Sequence, residues 1–136
     1  MKQITSERFI MRIKFVLEYY LNCSPKVLFS RLSTPEGLGE WFAEKVDAEG
    51  DLFTFFWNNA ASKARLAAIK ENKLVRFEWT GMENEECNYF EFRINVEELT
   101  SSLALLISDF AEEDEKEDSI SLWDSQITDL KRLLGI

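Results

Sequence analysis

Residues 118–136 constrain the chain most. Apolar residues recur there at Ile120, Trp123, Ile127, Leu130 and Leu134. Alternating steps of three and four residues put them on one stripe of an amphipathic helix. Asp118 or Ser119 is placed to cap its start, Lys131 and Arg132 stand near the negative end of the helix dipole, and Gly135 suits the stop. At about 1.5 Å per residue such a helix runs roughly 24 Å. Nearly everything before it reads as strands, and a sheet with an apolar face needs a cover.

The first strand is expected at Arg12–Leu21. Ile13, Phe15, Leu17, Tyr19 and Leu21 share one face, and Arg12, Lys14 and Glu18 share the other, with Val16 and Tyr20 as apolar exceptions. A period of two marks a half-buried strand. Two short helices should follow, because Ser24-Pro25 and Thr34-Pro35 each place a capping residue before a proline at the first helical position. Leu28, Phe29 and Leu32 supply the buried side of one, and Leu38, Trp41 and Phe42 that of the other. Gly37 and Gly39 weaken the second, which should be short and partly 3-10. Strands are then expected over 45–48, 51–57, 62–70, 74–79, 88–97 and 101–109. Glu49-Gly50, Asn58-Asn59 and Glu71-Asn72 serve as turns, and 81–86 as a polar loop. Short links favour antiparallel pairing. The order of elements is that of an α+β domain: an antiparallel sheet of about six or seven strands, two short helices after the first strand, and one long C-terminal helix.

A chain of 136 residues fits a single domain over 1–136, long enough for a sizeable core. Residues 1–7 are expected as a disordered lead, 111–118 as an acidic loop and 119–135 as the terminal helix. The interior should be rich in aromatics, since the chain holds 11 Phe, 4 Trp and 3 Tyr. The longest unbroken apolar run, 103–107, is too short to span a membrane. The start of the sequence shows no apolar segment of a secretory signal, and Cys23 and Cys87 form no CxxC pair, so the cytoplasm is the expected compartment. The net charge of −9 is uneven, because 112–118 carries six acids and one lysine. That run reads as a solvated loop or as a docking site for a basic partner. No basic patch marks a nucleic-acid surface.

The run Ser24-Pro25, Leu28-Phe29, Leu32, Thr34-Pro35-Glu36, Leu38 and Trp41-Phe42 resembles the START-like, or helix-grip (SRPBCC), superfamily. It looks most like the branch of activators of heat-shock protein 90 ATPase and their bacterial homologues. Residues 66–79, a strand, polar turn and strand ending in Trp79, are similar to that branch, and Trp123, Leu130 and Leu133 fit its terminal helix. The resemblance covers about 8–134. It implies a sheet gripping the long helix with a cavity between them, in which relatives hold lipids, sterols, hormones or polyketides. Some relatives are cyclases or aromatases, and some assist chaperones. It implies no catalytic residue for this chain.

The chain contains no histidine, which removes the commonest general base near neutral pH and the commonest metal ligand. No phosphate-binding, dinucleotide-binding or nucleophile-elbow motif is present. No cofactor or metal is therefore expected, and an enzymatic role is disfavoured. Asp109 is in phase with Leu103, Leu105 and Ile107. It reads as a strand-terminating or capping Asp, or as a proton-transfer group if a dry cleft raises its pKa. Tyr19 reads as a core tyrosine or as a polar anchor for a ligand. Cys23 and Cys87 read as passive thiols. The expected ligand-lining set is Tyr19, Phe42, Phe55, Phe77, Trp79, Phe90, Phe92, Leu105, Asp109, Trp123 and Ile127. The expected ligand is a neutral, flat or slender apolar molecule, since no Arg or Lys is placed inward by the pattern. The alternatives are a chaperone-associated interaction module with a filled cavity and, behind it, a polyketide-cyclase-like enzyme. Apolar residues on the outward face, Val16, Tyr20, Ala104 and Leu106, predict a weak homodimer.

Overall fold

The computed structural model describes residues 11–81 and 88–136. Seven strands form one antiparallel sheet: β1 (Arg12–Leu21), β2 (Lys45–Glu49), β3 (Leu52–Trp57), β4 (Ala60–Lys70), β5 (Leu74–Trp79), β6 (Tyr89–Val96) and β7 (Leu103–Glu112). Their spatial order is β1-β7-β6-β5-β4-β3-β2, so the first strand lies beside the last. Helices α1 (Pro25–Ser33) and α2 (Pro35–Leu38) follow β1, and the long helix α3 (Lys116–Leu134) closes the chain. This is the expected α+β helix-grip arrangement.

The start signals of the two short helices act as expected, whereas neither Asp118 nor Ser119 caps α3, whose N-cap position is Glu115 and carries no side-chain cap bond. Ser24 Oγ accepts from the Val27 N–H and Thr34 Oγ1 from the Gly37 N–H, capping α1 and α2. Asn58 and Asn59 both take positive φ, the backbone a two-residue hairpin needs, so β4 begins at Ala60 rather than at Ser62. Gly135 is left-handed; its N–H and that of Ile136 bond to Arg132 O and Lys131 O, which ends α3. Residues 1–7, Cys87 and all of the 81–86 loop beyond Gly81 lie outside the described residues.

The segment 111–118 differs from the expected loop. Ala111 and Glu112 are the last residues of β7, Glu113–Glu115 form a 3-10 turn, and α3 already begins at Lys116. Glu117 and Asp118 thus sit in the first helical turn, where the positive end of the helix dipole favours carboxylates. Asp109 is likewise within β7 rather than at its end.

The sheet's inner face and the apolar stripe of α3 enclose the core. Trp123, Ile127 and Leu130 are buried, with Ile120 and Leu134 packed partly against them. Phe53 and Phe55 of β3, Val75 and Phe77 of β5, and Phe90 and Phe92 of β6 supply the sheet side. A register shift between Leu66 and Ala68 interrupts the β4–β5 ladder, the kind of irregularity that bends and twists a strand. No helix among the described residues is long and apolar enough to cross a membrane.

Candidate functional site

Phe42, just past α2, is the centre of the interior. Its ring stacks on Phe90 of the sheet at 5.2 Å and on Trp123 of α3 at 5.6 Å, and meets Phe55 and Trp57 edge-on at 5.2 and 5.3 Å. Such offset and edge contacts suit the ring quadrupoles. Phe77 stacks on Phe90 at 5.2 Å, and Phe92 meets Trp123 edge-on at 5.9 Å. Phe55, Phe77, Phe90, Phe92, Leu105 and Ile127 are all buried. Of the expected lining set, these residues with Phe42 and Trp123 occupy the space between sheet and helix as packed neighbours.

The two polar candidates are held by α3. Tyr19 donates its hydroxyl to Asp124 at 2.6 Å, on the inner side of β1. Burial, with this bond and the charge of Asp124, pushes the Tyr19 phenol far above its ordinary value. Asp109 Oδ2 accepts from the Trp123 indole N–H at 2.8 Å, and Oδ1 from the Phe110 N–H at 2.8 Å. Burial raises the Asp109 carboxyl, against the opposing pull of these bonds and of the Arg12 charge. Both polar groups tie the helix to the sheet. Cys23 is a free, half-buried thiol, raised by burial.

The aromatic core runs outward to the end of the sheet where β3 and β5 finish. Trp79 lies 5.1 Å from Phe90 and 6.4 Å from Trp57, and both indoles are only half-buried. They bound a cleft of about 650 Å³, whose other walls are Arg12, Ala61, Ser62, Lys63 and Thr80. The Thr80 N–H and hydroxyl both donate to Lys63 O, fixing that wall. Trp57 also borders a second cleft of about 500 Å³, with Trp41, Ala43 and Leu133 as its apolar floor and Glu40, Glu44, Asp129 and Arg132 around it. The Trp57 indole donates to Phe42 O at 2.9 Å, and Gln126 Nε2 donates to the same carbonyl at 2.8 Å. Trp57 therefore stands as a partition between the two openings.

Trp79 is the expected lining residue that borders one of these openings. Sequence reasoning passed over Trp57 and Arg12. Trp57 ends an apolar run and carried the same signal as its neighbours Phe53 and Phe55. Arg12 falls on the outward side of β1 by alternation, yet at the first position of that strand it reaches the rim. It also borders a small cleft with Glu112, Glu115 and Asp118. Its guanidinium donates to Phe110 O at 2.9 Å. Glu112, Asp114 and Glu115 lie close together, and Glu112 pushes the exposed Glu115 carboxyl up by like-charge repulsion.

A large cleft of about 840 Å³ lies elsewhere, on the outer face, walled by Glu18, Tyr20, Arg93, Asn95, Val96 and Glu97 among others. It is broad and rimmed by charges of both signs, and the indole-walled cleft matches a small apolar ligand better.

A family model for the START-like superfamily domain matches residues 9–136. A Bacteroides fragilis protein solved by NMR in solution is 41% identical, with 92% of this chain and 93% of that chain aligned and a TM-score of 0.66. The Aha1 dimer from Colwellia psychrerythraea shares the fold at 16% identity, covering 88% of this chain and 93% of that chain, with a TM-score of 0.73. DynU16, described as a putative protein in the dynemicin biosynthetic locus, shares it at 12% identity over 90% of this chain and 47% of that chain, with a TM-score of 0.73. No match was found among curated proteins.

Proposed function

The chain belongs to the START-like superfamily, and from that premise we propose that it binds a small, flat, largely apolar molecule in the cleft walled by Trp57 and Trp79. The observation that carries this reading is the pair of half-buried indoles at the rim of an otherwise buried aromatic stack. Two rigid apolar surfaces beside a cleft of about 650 Å³ match the size and lining of a small-molecule site. Phe42, Phe55, Phe77, Phe90, Phe92, Leu105, Trp123 and Ile127 act in this reading as the packed support that holds the indoles in place. Arg12 and Lys63 add cations to the cleft wall, where the strand pattern had placed none inward; Glu112, Glu115 and Asp118 lie around Arg12, so its charge is shared. Asp109, the proton-transfer candidate, has both carboxylate oxygens engaged, which favours a binding domain over an enzyme.

The test is titration with an environment-sensitive apolar dye, comparing the native chain with Ser62→Trp. Ser62 is exposed on the cleft wall, so the new indole fills the cleft without entering the core. Dye affinity should fall at least about tenfold, equivalent to about 1.4 kcal/mol. Equal affinity in both proteins sinks the proposal. A protein that binds no dye but retains a purified chaperone would put the interaction-module reading ahead.

A separate observation supports weak self-association. On the outer face Val16 is 52% and Tyr20 68% exposed, beside the half-buried Leu106, while Ala104, expected in the same patch, is buried. Glu18, Leu106 and Arg93 form one row across β1, β7 and β6. A two-fold axis along β7 sets Glu18 of one copy against Arg93 of its partner, and the reverse. Light scattering at high micromolar concentration should show a dimer that Leu106→Glu abolishes; a native monomer refutes it.

A further inference from the structure

We infer that the second cleft, between α3 and the segment after α2, is a separate site for a small organic cation, an apolar body ending in an ammonium group. Trp41, Ala43, Trp57 and Leu133 make its floor, and at about 500 Å³ it has the volume of a small-molecule site. Both indoles have spent their one donor, Trp41 on Arg31 O at 2.8 Å and Trp57 on Phe42 O at 2.9 Å. What they offer the cleft is ring surface, which is apolar and attracts cations.

The charges around this floor do not cancel. Arg132 lies 2.9 Å from Asp129, and Glu40 is paired with Arg31. Glu44 is the remaining charged residue of the wall, and no cation stands within ion-pair distance of it among the described residues. It is exposed, and its position is fixed from both ends. The Glu44 N–H donates to Phe56 O at 3.0 Å, and Glu44 Oε2 accepts from the Asn58 N–H at 3.2 Å. Trp57 lies between those two anchors in the chain, so the carboxylate is held at the Trp57 end of the cleft. Its other oxygen is left for a donor from outside.

Floor and rim select the same ligand. An ammonium on an apolar body sets its charge at Glu44 and beside the indole, while the body covers the floor. A neutral alcohol of the same shape keeps the apolar contact and loses the attraction. An anion is repelled by Glu44 and finds only Arg132, which Asp129 already holds. Trp57 borders both clefts, but Trp41 and Leu133 line only this one and Trp79 only the other, so the two sites can be told apart.

The test uses 2-phenylethylammonium, with 2-phenylethanol and 3-phenylpropionate as neutral and anionic probes of similar size. Binding at neutral pH and low salt is followed by the indole N–H signals in nitrogen-15 NMR spectra. The ammonium should move the Trp41 and Trp57 signals and leave that of Trp79 in place. It should bind about fivefold more tightly than the alcohol, and the anion should bind more weakly than either. Glu44→Gln keeps an acceptor for the Asn58 N–H and removes the charge, so the preference for the ammonium should shrink to about twofold or less. Equal affinities for ammonium and alcohol in the native chain, a preference undiminished in Glu44→Gln, or shifts at Trp79 without Trp41 overturn the inference. So does the absence of any indole shift with the ammonium. Each of these results leaves the reading of the cleft walled by Trp57 and Trp79 to its own dye titration.

Discussion

Phe42→Ala tests the architecture at its centre. The ring is 4% exposed and sandwiched between Phe90 of the sheet and Trp123 of α3. Removing it deletes those stacked contacts and the edge contacts to Phe55 and Trp57. The Phe42 carbonyl survives the substitution, so the bonds from Trp57 and Gln126 have no reason to break. The loss is therefore one of burial and packing, which for a core Phe→Ala is about 3–5 kcal/mol. Each aromatic pair is worth about 0.5–1.5 kcal/mol beyond burial, which places this site at the upper end of that range. For a domain of this size the loss lowers the melting temperature by roughly 10–20 °C. The vacated space also joins the two openings that Trp57 now separates, so the variant should bind an apolar dye more tightly than the native chain. Urea denaturation gives the stability, near-ultraviolet circular dichroism the integrity of the aromatic packing, and dye titration the opened space. A loss below about 1 kcal/mol with unchanged dye affinity would refute the reasoning, because it would mean that the ring does not fill the space between sheet and helix.

The remaining predictions concern single groups. Asp109 has a raised carboxyl pKa in the folded chain, so its contribution is fully present below the ordinary aspartate pKa of about 4 and is lost as pH rises through the folded value. Asp109→Asn should therefore gain stability relative to the native chain across that interval and hold a constant difference above it, as read by urea denaturation at a series of pH values; a flat difference throughout contradicts this. Tyr19, raised by burial and Asp124, should stay un-ionised in the folded chain at an alkaline pH where it ionises once the chain is unfolded, so that unfolding adds tyrosinate absorbance; no added absorbance on unfolding would exclude it. A Cβ on Gly37 would sit 2.1 Å from Ser30 O, whereas one on Gly39 would meet Pro35 O at 3.1 Å. Gly37→Ala should cost about 1–3 kcal/mol by thermal melting and Gly39→Ala distinctly less; the reverse order would show that α1 and α2 are free to separate.

What the sequence by itself determined is the set of elements and their faces. A period of two placed β1 at its true bounds, the Ser-Pro and Thr-Pro pairs began α1 and α2, and the spacing from Ile120 to Leu134 fixed the side that α3 buries. Caps, turns and alternation act over a few residues, so they can be read without knowing what packs opposite. Depth cannot be read that way. Phe55, Trp57, Phe77 and Trp79 carry the same inward signal, yet two are buried and two line a cleft, because the sheet's end stops covering them. Gly37 looked like a weakness in a short helix; the close approach of Ser30 O shows why no side chain fits there. Glu91 lies on the outer face and is nonetheless buried, held by Arg76 at 2.8 Å and near Arg93. Arg12, outward by alternation, reaches the cleft rim, and Asn88, expected as the first residue of a strand, is a buried polar side chain just before β6, bonded to Trp79 O. The deciding neighbours lie on other elements, such as Ser30 of α1 for Gly37 and Arg76 of β5 for Glu91, and only the assembled fold brings them within reach.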